Sequence, residues 1–281
     1  DETHLIRSVQ EGIAFSMCYG IEMLKDLGVA EELISKGLIA DKVQYRDRKE
    51  GMIAEFDLGL LKHDTPYPFR LQIEQYALAV LLLKKLERLP NAEVLFNHRV
   101  TNVSQENHAV VVTIETTQGT QQCKAHYLIG ADGGHSATRH SLDIKFEGLT
   151  YPERYLVTFT TFDFKSHIPD LAYVNYVSDP EEWFVLLRSP DLWRVLFPSQ
   201  PSEAESTSEE LDRIVQARYQ KVVATGTRYP ILHRAIYTVH QRIAATYRKG
   251  RVLLAGDAAH LNNPLGGMGL NGGIHDSVNL S

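Results

Sequence analysis

The stretch that most constrains the fold is Arg251-Val-Leu-Leu-Ala-Gly-Asp-Ala-Ala-His260, followed by Pro264-Leu-Gly-Gly-Met-Gly-Leu-Asn-Gly-Gly273 and then Ile274 to Leu280. A short apolar run ending in Gly256-Asp257 has the texture of a central parallel strand covered on both faces. In open α/β sheets, ligands collect beyond the carboxyl ends of such strands, which places Asp257 where a carboxylate can accept hydrogen bonds from sugar or polyol hydroxyls. Pro264 stiffens the turn that follows. Gly266, Gly267 and Gly269 let the main chain approach a flat ligand without side chains in the way. A helix from about Asn271 is expected to present unpaired N–H groups and its positive dipole end. Asp257 alone reads equally well as a turn cap, but the further glycines are more than a tight bend requires.

A second segment, Gly130-Ala-Asp132-Gly133-Gly134-His-Ser136-Ala-Thr-Arg139, repeats this logic after the apolar Tyr127-Leu-Ile129. Asp132 sits at a strand end, Gly133 opens the backbone, Ser136 can cap a short helix, and Arg139 can reach an anionic group or a neighbouring carboxylate. By itself an Asp-Gly-Gly turn is a common structural device. Gly267-Met-Gly269-Leu-Asn-Gly272 matches GxGxxG, but no strand leads directly into it, so it lacks the context of a dinucleotide fingerprint.

Helices are predicted over Cys18–Leu27, stopped by Gly28, over Ile73–Arg88, and over Leu211–Val222. The last is introduced by a capping box from Ser206 and Glu209 or from Thr207 and Glu210. Strands are predicted over 93–100 and 110–115. From 151 to 198 the texture turns β-branched and aromatic, with runs at 155–164, 172–177, 183–187 and 193–197 separated by turn residues, as in a mostly antiparallel sheet. The expected fold is α/β: a Rossmann-like nucleotide-binding domain (1–37, 73–145 and 241–281) interleaved with a mostly antiparallel β-sheet domain (38–72 and 146–240).

Composition narrows the functional classes. A net charge of -6 with scattered basic residues argues against nucleic acid as a partner. No apolar run reaches the roughly 20 residues that span a bilayer. The two cysteines, Cys18 and Cys123, lie in no disulfide or zinc spacing, and the 12 histidines form no paired ligand pattern, so no metal site and a cytoplasmic setting are expected.

Together the two glycine–aspartate segments resemble the class A flavoprotein aromatic hydroxylases, the para-hydroxybenzoate hydroxylase family. Gly130, Asp132, Gly133, Ser136 and Arg139 meet the family pattern G-x-D-G-x-x-S-x-x-R. Gly256, Asp257, Ala258, Ala259, His260, Pro264, Gly266, Gly269, Asn271, Asp276, Asn279 and Leu280 meet its later Gly-Asp motif. The resemblance implies FAD as cofactor and NADPH or NADH as cosubstrate. It implies hydroxylation of a small aromatic, phenol-like substrate with O₂ through a flavin C4a-hydroperoxide. Asp257 is implied at the ribityl and pyrophosphate region, and the main chain of Gly269, Leu270 and Asn271 at the N1–C2=O edge of the flavin. Pro264 is implied beside the ring and Gln75 near the ribityl chain, while Asp132 is associated with FAD and nicotinamide-nucleotide use. His260 and Pro264 are the catalytic candidates, His260 in a positioning rather than a chemical role. An enclosed apolar pocket is implied too, which aromatics such as Tyr155, Phe159, Tyr176 and Trp183 can wall, although most strand aromatics serve as packing.

The family's opening GxGxxG unit is not present, and its arginine ahead of the Cys18–Leu27 helix is not evident: Gly12 falls near that place and Arg7 is nearest. The chain therefore reads as the middle of a longer protein. Two rival readings remain open, a flavin-dependent reductase or dehydrogenase on the same fold and a non-catalytic truncated relative.

Overall fold

A computed structural model describes residues 20–264 and 267–281. Its elements in chain order are α1 (20–26), α2 (Ala30–Lys36), β1 (Leu38–Ala40), β2 (Lys42–Asp47), β3 (Gly51–Asp57), β4 (Arg70–Gln72) and α3 (Gln75–Leu86). There follow β5 (Arg99–Gln105), β6 (Val110–Thr116), β7 (Gly119–Ala125), β8 (Leu128–Gly130), α4 (Ala137–Ser141) and β9 (Phe146–Thr160). The remainder comprises β10 (Val174–Ser178), β11 (Phe184–Arg188), β12 (Trp193–Ser199), α5 (Ser208–Val222), β13 (Ile231–Ala244), β14 (Arg248–Lys249), β15 (Val252–Leu254), β16 (His260–Leu261) and α6 (Met268–Leu280).

The chain packs into two compact units. The described part of the first is 20–23, 81–151 and 240–281; the second is 24–80 and 152–239. The fold class is the mixed α/β arrangement expected. Residues 24–37 and 73–80, expected with the cofactor-binding segments, pack in the second unit, and 146–151 pack in the first. The change of composition near 146 is not a break in the chain, because β9 continues unbroken through it. At the other boundary, β1 pairs with β4 (Ile39 opposite Leu71), and Gly37 has Leu71 Cδ1 2.5 Å from where a Cβ would stand, which draws α2 to that ribbon.

In the first unit, β15 runs parallel to β8 with Leu254 opposite Gly130, and β14 pairs antiparallel on the outer side of β15. A separate antiparallel sheet is built from β5, β6 and β7. Val103, Val110, Val112, Leu142, Ile144, Val252, Leu254 and Ala258 share one buried core. β15 thus has the buried apolar texture that its sequence suggests.

In the second unit, strands lie in the order β13-β9-β12-β11-β10-β2-β3. The β9–β12, β12–β11, β11–β10 and β2–β3 pairings are antiparallel, whereas β10 and β2 are parallel. α5 opens with the capping box of Thr207 and Glu210, one of the two pairs expected. It lays Val215 and Tyr219 onto a core with Leu156, Leu186, Trp193, Val195 and Phe197. Alternation along the strands sends the neighbours of these residues to the other face. There Tyr176 stacks on the half-exposed Tyr45 at 5.3 Å, and Arg194 lies over the Phe159 ring at 5.0 Å.

β7 and β13 were not expected: β7 is a polar hairpin partner, and the charges in Ile231–Ala244 mask its alternation. Of the 93–100 strand only its end forms, as β5 begins at Arg99.

Candidate functional site

The parallel pairing of β8 and β15 decides where the two acidic segments go. Because Leu254 lies opposite Gly130 and the strands run the same way, Asp132 and Asp257 leave neighbouring strands at the same carboxyl end. The main chain stitches these tips together, since the Ala255 amide donates to the Gly130 carbonyl at 3.0 Å. Gly130 has to be glycine for packing: a Cβ there would lie 2.7 Å from Thr138 Cγ2 on α4.

The two carboxylates then part company. Asp132 is a cap. Its Oδ1 accepts from Ser136 Oγ at 2.5 Å and its Oδ2 from the Thr138 amide at 2.9 Å. Desolvation pushes Asp132 upward, but the bonds from Ser136 and Thr138 outweigh it and hold the carboxyl below its ordinary range. Ser136 caps α4 as expected, accepting from the Arg139 amide at 2.9 Å. Arg139 is 2% exposed; its guanidinium donates to the Ala258 carbonyl at 2.9 Å and the Gly134 carbonyl at 2.7 Å and covers the Phe146 ring at 3.8 Å. Burial lowers its pKa from the ordinary arginine value. The Arg139 side chain is thus enclosed and tied to main-chain carbonyls. Gly133 adopts φ +79 with nothing within 4 Å of a Cβ position, so its face stays open.

Asp257 sits in the turn Gly256–Ala258, is exposed, and makes no hydrogen bond or ion pair with any described residue. Gly256 before it has φ +57, a left-handed conformation that a side chain would strain, and open space where a Cβ would be. α6 begins at Met268, three residues earlier than expected, because Gly267 at φ +66 turns the chain into the helix. No side chain of a described residue caps this end, and by helix geometry the amides of Met268, Gly269 and Leu270 lack intrahelical acceptors. Asn271 belongs to the next position, where helix bonding starts; its side chain instead donates to the Gly267 carbonyl at 3.0 Å. Gly269 and Leu270 are exposed, and nothing lies within 4 Å of a Cβ at Gly269. Pro264 is exposed and its carbonyl accepts from the Gly267 amide at 3.0 Å. Gly266, Gly12 and Arg7 lie outside the described residues.

α6 is fastened to the Asp257 turn by Asp276, whose Oδ2 accepts from the Gly256 amide at 2.6 Å and lies 2.9 Å from His260 Nε2. A Cβ on Gly272 would come within 3.0 Å of the His260 ring, and one on Gly273 within 3.8 Å of the Gly256 Cα, so two small residues let the helix close on the turn. In the sequence Asp276 stands only as a motif letter, because its spacing of 20 residues from Gly256 carries no local signal.

Gln75 lies in the second unit, exposed at the start of α3. Three residues earlier, Gln72 has a buried side-chain nitrogen with no partner among the described residues. Sequence reasoning missed this unsatisfied donor, because nothing in Gln72-Ile-Glu-Gln75 distinguishes the two amides. Among the described residues no group of three or more His, Cys, Asp or Glu side chains is placed to hold a metal.

The residues present fit an extended, hydroxyl-rich and partly anionic cofactor such as FAD. A carboxylate without a partner among the described residues, open glycine faces at 256 and 269, and a helix start that no described side chain caps belong to elements that Asp276 joins.

The family model described as "FAD binding domain" matches residues 17–281. The chain is 34% identical over 263 residues to para-nitrophenol 4-monooxygenase of Pseudomonas sp. strain WBC-3, covering 92% of this chain and 64% of that protein. It is 31% identical over 264 residues to 6-hydroxy-3-succinoylpyridine 3-monooxygenase of Pseudomonas putida, covering 92% and 65%. The crystal structure of p-nitrophenol 4-monooxygenase from Pseudomonas putida DLL-E4 superposes with a TM-score of 0.85 at 31% identity, over 92% of this chain and 66% of that one. The chain thus spans just under two thirds of the length of these relatives. With the family model matched over nearly all of its residues, the chain belongs to the FAD-binding-domain family of the class A aromatic hydroxylases.

Proposed function

We propose that the first unit binds FAD and that the protein hydroxylates a small phenol-like aromatic compound, using NADPH or NADH and O₂. The observation that carries this reading is the Asp257 carboxylate, without a partner among the described residues, on a turn that Asp276 fastens to α6, whose start no described side chain caps. Asp257 accepts hydrogen bonds from the hydroxyls of the cofactor's polyol chain. Gly256 and Gly269 keep side chains out of its way. The amides of Met268, Gly269 and Leu270, with the positive end of the helix dipole, stabilise negative charge at the edge of a ring placed there. Asp132 and Arg139 hold the turns beneath and are not ligands in this reading. FAD would supply two-electron redox chemistry and the activation of O₂.

The second unit is the substrate-binding part in this reading. Its sheet face away from the core, with Tyr45, Tyr176 and Phe159, supplies apolar, ring-shaped surface suited to a flat substrate. The relatives named for para-nitrophenol and a hydroxypyridine support a phenol-like compound as the substrate class. Among the described residues no helix is long and apolar enough to cross a membrane. A cytoplasmic setting remains part of the proposal, on the ground of the low cysteine content.

The test is a fluorescence titration with FAD, followed by NAD(P)H oxidation in the presence of simple phenols under ¹⁸O₂. Saturable FAD binding and one labelled oxygen in the product are expected. Binding with NAD(P)H oxidation but no label would instead indicate a flavin reductase, and absence of FAD binding would leave a non-catalytic relative.

A further inference from the structure

Asp276 Oδ2 is shared by two donors. The Gly256 amide reaches it at 2.6 Å, and His260 Nε2 lies 2.9 Å away. A carboxylate only accepts, so His260 must carry a proton on Nε2. That nitrogen is therefore engaged as a donor and is not an available base. Gly256 is the left-handed residue that aims Asp257, and Asp276 lies on the helix whose first turn offers the free amides. His260 follows the same turn and enters β16, and its ring lies against Gly272 of α6 and at 30° to the Tyr247 ring, centroids 6.1 Å apart.

We propose that Asp276 and His260 form a latch that sets the FAD-binding geometry: Asp276 fixes the Gly256 amide, and His260 fixes the Asp276 carboxylate. Both are positioning residues, and neither touches the cofactor. This inference rests on the FAD reading above. The latch holds Asp257 and the Met268–Leu270 amides in one fixed relation, so that a single ligand meets both without reordering the turn. Charge-assisted hydrogen bonds suit this role because they are short and directional.

The experiment titrates the protein and its variants with FAD by flavin fluorescence and records the ¹⁵N shifts of His260 in the unliganded protein. Asp276→Ala and His260→Ala are each expected to weaken FAD binding about tenfold or more. The double variant should be no weaker than Asp276→Ala alone, because one latch is lost once. His260→Gln, whose amide still donates, should restore most of the affinity that His260→Ala loses, which a general loss of packing would not allow. The ring should show its proton on Nε2. Additive losses, a His260→Gln variant as weak as His260→Ala, or a bare Nε2 with the proton on Nδ1 would each overturn the latch. Failure of the unaltered protein to bind FAD would overturn the reading of the site itself, and with it any role of the latch toward the cofactor.

Discussion

The Arg139 guanidinium donates to the carbonyl of Ala258, a residue 119 positions later, and so fastens the loop after β8 to the turn after β15. A residue that looks like an anion-binding arginine in sequence works here as a cross-tie between two strand tips. Arg139→Met retains the apolar stem over Phe146 but leaves the Ala258 and Gly134 carbonyls without their donor. The expected loss of stability is about 2–4 kcal/mol, read from urea denaturation. A loss below about 1 kcal/mol would show that the cross-tie is not structural.

Asp257→Ala should separate binding from stability. The carboxylate is exposed and bonds to no described residue, so unfolding should shift by less than about 0.5 kcal/mol. FAD affinity should fall about tenfold to a hundredfold, on the scale of a lost charged hydrogen bond. Equal affinity in the variant, measured by fluorescence, would remove Asp257 from the site.

Gly269→Ala is expected to move two quantities in opposite directions. The position is helical, and its Cβ would meet nothing within 4 Å, so alanine should raise stability by about 0.5–1 kcal/mol. The added methyl stands where the cofactor is proposed to approach, so FAD binding should weaken. Thermal unfolding without FAD and a titration with it would show the opposing signs.

Asp132 predicts an acid dependence. Its folded pKa lies below the unfolded value of 3.8, so its stabilising contribution is present at neutral pH and disappears as pH falls from about that value through the folded pKa. Asp132→Asn should lower stability at pH 7 by about 1 kcal/mol, the scale of a lost cap, and flatten the stability profile below pH 4. An unchanged acid limb in denaturation curves would contradict the cap.

The acidic turn at Asp257, the open face at Gly269 and the parallel strand were legible because such features are local: an apolar run, an acidic tip, a glycine. Thr207 and Glu210 were readable for the same reason, as a capping box lies within four residues. The roles of Arg139 and Asp276 were not readable. Their partners, Ala258 and Gly256, are reached only after the chain has folded back, and a motif letter does not say whether a polar group faces a ligand or a carbonyl. The crossings between the two compact units fall inside continuous elements, α1, α3, β9 and β13, where the sequence shows no break.

Those uninterrupted strands have a practical corollary for anyone dissecting the molecule. The chain passes from one unit to the other at 23/24, 80/81, 151/152 and 239/240, so no single cut in the gene yields either unit as one contiguous product. A minimal flavin-binding piece would have to be rebuilt from separate segments joined by designed bridges, and exchange of the other unit between relatives would need matched crossovers inside α1, α3, β9 and β13.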